Sequence, residues 1–174
     1  MIGPAAFVGA WAALGTRLPG YDPTQDAISR LAADGAPDQA WMTAGFVAFG
    51  IGVPLFALAL REVDDGPAWM TAVATGIATL GVAAFPLDGW AGDTPHNVAA
   101  GLGYVTLAAT PLLARPGRGV LASRLLGAAS LACLALTTVD DHSGLFQRLG
   151  LTLGDLWLVT AAVAILTDRY GRPA

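Results

Sequence analysis

Seven side chains carry most of the chemistry this chain can offer: Asp22, Asp26, Asp88, His96, Asp140, Asp141 and His142. An imidazole beside a carboxylate can pass a proton, hold a divalent metal or simply hydrogen-bond. All seven fall in or next to the connections between long apolar stretches, and those connections are the first, third and fifth. If the stretches cross a membrane, odd-numbered connections share one face, and scattered groups become one candidate site. The third connection, 87–94, reads Leu-Asp-Gly-Trp-Ala-Gly-Asp-Thr, with His96 just beyond it. Its glycines permit a compact turn that brings Asp88 back toward His96. The fifth connection repeats the theme as Asp140-Asp141-His142, followed by an apolar piece, 144–149, that includes Arg148 and reads as re-entrant.

Asp155 stands apart, inside the last apolar stretch. With Thr152 it fits a helix capping box in which a shorter acid replaces Glu. If the helix instead begins near Leu149, Asp155 lies within the membrane and is a candidate general acid. The catalytic candidates are therefore Asp88, His96, Asp140, Asp141, His142 and Asp155. Their spacing names no metal: there is no HExxH motif and no His-rich run, and two histidines with aspartates can bind Zn²⁺, Mn²⁺ or nothing. The cofactor stays unknown, a divalent metal being one option.

The elements that must position these groups follow from composition. Hydrophobic residues make up 55% of the 174 positions and charged residues only 13%, with a mean hydropathy of +0.58. That is too apolar for an ordinary soluble domain and points to a polytopic membrane protein. Lysine is absent, and a net charge of -4 with no basic block argues against a nucleic-acid partner. The single cysteine, Cys133, rules out an intrachain disulfide or a cysteine metal cluster and reads as a small buried hydrophobe.

A spanning helix needs about 20 mostly apolar residues. The windows are 40–60, 67–86, 95–114, 120–139 and 149–167, with a shorter sixth at 2–15. No basic segment precedes that first window, so it reads as a span rather than a signal peptide. Thr94-Pro95 and Gly66-Pro67 mark helix starts, Pro54 should kink the second span, and 115–119 is a tight turn. The small residues Ala68, Ala72 and Gly76, with Gly101 and Gly103 on the next helix, allow close helix approach within the bundle or against a partner helix. The expected fold is all-α, a six-span bundle forming a single transmembrane domain over 1–174.

Arginines set the orientation, because cytoplasmic connections retain positive charge. The even connections and the C-terminus carry Arg61, Arg115, Arg118, Arg169 and Arg172, with Arg124 nearby; the other side has Arg17, Arg30 and Arg148. Both termini are therefore expected in the cytoplasm, and the Asp/His connections outside.

The long first connection should hold structure of its own. Asp22-Pro23-Thr24-Gln25 looks like a cap, and Ala27, Ile28, Leu31 and Ala32 form one apolar face, so 23–33 reads as a short amphipathic helix on the membrane surface or over the bundle. Its polar face carries Asp26, Ser29 and Arg30, with Asp26 and Arg30 at ion-pair spacing. Ser29 and Arg30, together with Tyr21, Arg148 and the tryptophans Trp41, Trp90 and Trp157, are the candidates for contacting a substrate, although tryptophans also form interfacial belts.

Several short motifs in order carry a resemblance. Gly20-Tyr21-Asp22-Pro23, then Ile28-Ser29-Arg30-Leu31, Phe85-Pro86-Leu87-Asp88, His96, and Gly144-Leu145-Phe146-Gln147-Arg148 before a Trp-containing last helix resemble the DUF998 family of six-helix bacterial membrane proteins. The resemblance implies six membrane helices in a bacterial plasma membrane and supplies no reaction.

Three functions fit the residues. One is an enzyme acting on a lipid or isoprenoid, either by metal-assisted hydrolysis through His96, His142 and Asp88 or by acid-initiated cyclisation or rearrangement through Asp155 or Asp88. Another is a binder or transporter of a small hydrophobic molecule. The third is an accessory subunit of a membrane complex.

Overall fold

The computed structural model describes residues 2–170, the side chain of Arg118 excepted; Arg172, counted above toward the cytoplasmic side, lies outside the described residues. Those residues form six α-helices and no strand: α1 Ile2–Leu14, α2 Gln39–Arg61, α3 Ala68–Ala84, α4 Asp93–Leu113, α5 Val120–Leu136 and α6 Ser143–Leu166. Each expected window is thus a helix. By length and composition two of them, α2 and α6, are long and apolar enough to cross a membrane. The apolar helices α1, α3 and α5 are shorter, and α4 is diluted by its polar start at Asp93, Thr94, His96 and Asn97.

Consecutive helices pack side by side, and α6 also touches α4, α2 and α1. The closest approach is between α2 and α3. A Cβ placed on Gly76 would lie 2.3 Å from the Pro54 ring and 2.7 Å from the Gly50 carbonyl, so only glycine fits there. Pro54 and the small residues of α3 therefore serve one contact. Gly103 meets Ala78 on α3, but Gly101 has nothing within 4 Å and belongs to no interface in this chain. Hydroxyls join α3 to α4: Thr75 donates to Thr106 and Thr110 to Thr71, both at 2.9 Å. Such interhelical bonds contribute about 0.6 kcal/mol each in membrane bundles. Cys133 is half-buried on α5.

Three local expectations change. The segment 23–33 is not one amphipathic α-helix but a turn followed by a 3-10 helix, Ile28–Ala32, because Ala27 between them is extended. That break removes the helical spacing on which the Asp26–Arg30 pair depended. Asp26 instead accepts the Asp22 N–H at 2.8 Å, and Asp22 caps its own turn by accepting from Thr24 N–H and Oγ1. Those two Thr24 bonds hold the Asp22 carboxyl below the usual carboxylate range. At the other end of the chain, α6 starts at Ser143, so 144–149 is its first turns rather than a re-entrant piece, and Thr152 and Asp155 are mid-helix rather than a cap. Finally, α4 begins at Asp93 behind Gly92, whose φ of 68° favours glycine, so Thr94 is inside the helix.

The connections gather at the two ends of the bundle. The first is tied to the third by Asp34 N–H donating to Leu87 O at 2.8 Å, and to the first turn of α6, just past the fifth, by Leu145 N–H donating to Thr24 O at 2.9 Å. At the opposite end the buried carboxylate of Asp64, in the second connection, accepts from Gly66 N–H at 2.7 Å, from Arg115 N–H at 2.6 Å in the fourth, and from the Tyr170 hydroxyl at 2.6 Å. Sequence patterning had offered no role for Asp64.

Burial, reinforced by the bond to Asp64, pushes the Tyr170 phenol up. A raised folded-state value means its contribution is fully present below the unfolded value of about 10 and is lost as pH rises beyond it. In detergent, the unfolding temperature should fall above pH 10, and fall less steeply in Tyr170→Phe; parallel declines would refute the coupling.

Candidate functional site

His96 sits in the first turns of α4 and is 2% exposed. Its ring does not meet Asp88. Nδ1 lies 2.8 Å from the Phe85 carbonyl oxygen at the end of α3. A carbonyl can only accept, so Nδ1 carries a proton, and in the neutral form of the ring Nε2 is a lone pair. That Nε2 is buried and has no hydrogen-bond partner among the described residues.

His96 lines a cavity of about 60 Å³ bordered by residues of α1, α2, α3, α4, α6 and the 3-10 helix. Most of the wall is apolar, with Phe7, Phe46, Phe49, Val82, Leu107 and Leu151 among its residues; Ser29, Thr75, Thr79, His96, Tyr104 and Gln147 are its polar members. A volume of this size has room for several water molecules but is well below that of a drug-sized pocket.

The polarity at Tyr104, two turns beyond His96 on α4, is set by a relay. Gln147 Oε1 accepts the backbone N–H of Ile28 at 2.7 Å. This fixes the amide's orientation, so Gln147 Nε2 is the group that donates to the Tyr104 hydroxyl. Tyr104 oxygen is thereby an acceptor, and its own proton has no acceptor among the described residues. One cavity thus holds a lone pair, on His96, and a free O–H, on Tyr104. Tyr104 was missed from sequence because it sits inside an apolar run where a lone polar residue gives no pattern, and Gln147 because it read only as part of a motif beside Arg148; only Ser29 and His96 of the polar wall had been singled out.

The carboxylates lie elsewhere. Asp88, at the left-handed φ of 57° that Asp tolerates, pairs with Arg30 at 3.1 Å, both side chains about half exposed. Tyr21, Asp26, Arg30 and Asp88 line a shallow groove on the surface of the first connection. Asp140 Oδ1 accepts the His142 backbone N–H at 2.8 Å and contacts its ring Nδ1 at 3.1 Å, both side chains being solvent-accessible. The backbone bond above all holds the Asp140 carboxyl below the usual carboxylate range. Asp141 beside them is exposed. Among the described residues no three His, Cys, Asp or Glu side chains come together as a metal-ligand set. Imidazoles and carboxylates are thus present but dispersed, and His96, His142 and Asp88 do not fit the metal-assisted hydrolysis the sequence allowed.

Arg148 is buried and acts as a staple. Its Nη1 donates to Pro23 O at 2.6 Å, Asp26 O at 3.0 Å and Gly144 O at 2.8 Å, and its Nη2 donates to the Tyr21 hydroxyl. The guanidinium also stands over the rings of Trp11 and Tyr21, each at 5.5 Å. Burial raises the Tyr21 phenol against the opposing pull of Arg148. Neither Arg148 nor Tyr21 faces the cavity; both hold the segment that supplies Ile28 and Ser29 to it. The tryptophans are outside it as well. Trp41 is 72% and Trp90 82% exposed. Trp157 is buried edge-on against Phe56 and borders a groove near Arg169 and Tyr170, at the other end of the bundle.

Asp155 is 5% exposed, and neither carboxyl oxygen has a partner among the described residues. It does not line the cavity, although Leu151, one turn earlier on the same face of α6, does.

No curated protein and no solved structure matches the chain. The family model described as protein of unknown function (DUF998) matches residues 1–164. With nearly its whole length matched, the chain belongs to the DUF998 family.

Proposed function

We propose that this is a six-span protein of the plasma membrane, both termini cytoplasmic, that binds a small hydrophobic or amphipathic molecule in the His96 cavity at its extracytoplasmic end. The observation that carries this reading is the buried Nε2 of His96, without a partner among the described residues, on a ring that lines a mostly apolar cavity. A buried acceptor left unpaired costs roughly 1–3 kcal/mol, a cost that a bound donor removes. A mostly apolar cavity with a few convergent polar groups is the usual form of a small-molecule site.

Embedding in a bilayer is supported by the large apolar side chains that five helices turn outward, such as Ile51, Ile77, Leu102, Leu125 and Val163. Soluble proteins rarely leave so much contiguous apolar surface uncovered. The orientation follows from the arginine-rich even connections.

A long-chain alkyl diazirine, photolysed with the protein in nanodiscs, tests this reading. Labelling of Phe46 or Leu151, lost when Ala100→Trp fills the cavity, is the expected result. Label confined to outward residues such as Ile51 and Leu102, and unchanged by Ala100→Trp, would refute it.

Asp155 favours a second reading, acid-initiated chemistry on a lipid or isoprenoid, because a carboxyl buried without a partner mid-helix is costly and such groups mark function. Conversion of a polyprenyl alcohol by the reconstituted protein, abolished in Asp155→Asn, would support it. No conversion by the parent protein would eliminate it.

A further inference from the structure

We infer that the cavity selects a neutral alcohol, a hydroxyl group that donates to His96 Nε2 and accepts from the Tyr104 O–H. This rests on the binding reading above and deepens it by naming the group bound. The two polarities have independent origins. The Phe85 carbonyl, 2.8 Å from Nδ1, holds the proton there, so the neutral imidazole presents its lone pair at Nε2. The Ile28 N–H, 2.7 Å from Gln147 Oε1, turns the amide so that its Nε2 donates to Tyr104, which frees the phenolic proton. Both settings come from backbone groups, which cannot reverse their own polarity.

A ligand matching one acceptor and one donor must itself both donate and accept. A hydroxyl does so without charge. A carboxylate would set its lone pairs against that of Nε2, and an ammonium would have no lone pair to offer the Tyr104 proton. Either ion would also lose its hydration in a chamber walled mainly by Phe7, Phe46, Phe49 and Leu107, with no opposite charge lining it. A cavity of about 60 Å³ takes the hydroxyl and its first carbons. The alcohol is therefore either short or the hydroxyl end of a lipid alcohol, and chain length separates these sources.

The test is thermal stabilisation of the full chain in detergent by 1-hexanol, 1-dodecanol, dodecanoate and dodecylamine, because a ligand that binds only the folded state raises the unfolding temperature. An alcohol should bind at least tenfold more tightly than the acid and the amine. Preference for dodecanol over hexanol would identify a lipid alcohol, and equal effects a short one. Tyr104→Phe, which removes only the hydroxyl, and His96→Phe should each weaken alcohol binding at least tenfold. Equal stabilisation by dodecanoate or dodecylamine, lost in these variants, would overturn the alcohol assignment while leaving the binding cavity standing. Stabilisation by alcohol that persists in both variants would place binding elsewhere and overturn the assignment. No stabilisation by any of the four, together with absent cavity labelling by the diazirine, would remove both readings.

Discussion

Gly76→Ala is expected to destabilise the bundle by about 3 kcal/mol or more, at the upper end of what overpacking costs. The added methyl would stand 2.3 Å and 2.4 Å from two atoms of the Pro54 ring and 2.7 Å from the Gly50 carbonyl. None of these belongs to a flexible side chain that can swing aside, so α2 and α3 must separate. The separation also reaches the cavity, because the adjacent Thr75 lines it. Gly101→Ala provides the contrast. Nothing lies within 4 Å of the new methyl, and replacing glycine at an exposed helical position gains up to about 1 kcal/mol. Thermal unfolding in detergent should therefore move the two variants in opposite directions. Equal stability of the two would show that α2 and α3 are not in this contact.

Arg148→Met is expected to cost about 3 kcal/mol or more, because several buried acceptors lose a donor at roughly 1–3 kcal/mol each. Methionine keeps much of the length and apolar packing of the side chain, so the loss isolates the guanidinium. Three carbonyls, those of Pro23, Asp26 and Gly144, would lose their donor, and so would the Tyr21 hydroxyl. Two of these carbonyls lie in the first connection, which supplies the Ile28 N–H that orients Gln147. Loosening it should therefore release the Gln147 amide and weaken ligand binding as well as stability. Arg30→Ala, by contrast, removes only a half-exposed pair with Asp88; exposed pairs are worth about 0–1 kcal/mol, and neither stability nor binding should change much. Similar losses for both variants would contradict the staple role of Arg148.

The helices were legible because each is a run of apolar residues bounded by proline, glycine or charge, and such punctuation needs no partner to be read. The gathering of the first, third and fifth connections was legible from parity alone, and the Asp34–Leu87 and Leu145–Thr24 hydrogen bonds bear it out. Composition at the start of α6 misled, because Gln147 and Arg148 look like residues outside a span. They are helical here because the first connection folds over them and supplies acceptors for the guanidinium and a donor for the amide. His96 stood out by residue type, yet its partner did not, since a backbone carbonyl such as Phe85 O has no sequence signature. Tyr104 and Gln147 acquire meaning only from each other and lie 43 positions apart. The Asp26–Arg30 pair failed for a local reason: one extended residue, Ala27, interrupts the helix its spacing assumed.

The tautomer of His96 is the most direct measurement. The chain has only two histidines, so ¹⁵N-labelled histidine in nanodiscs gives two imidazole spin systems, and His142→Ala assigns them. At His96, Nδ1 should be protonated and Nε2 a lone pair, with the Nε2 resonance moving when 1-dodecanol is added. A protonated Nε2, or a His96 spectrum that no amphiphile shifts, would contradict this.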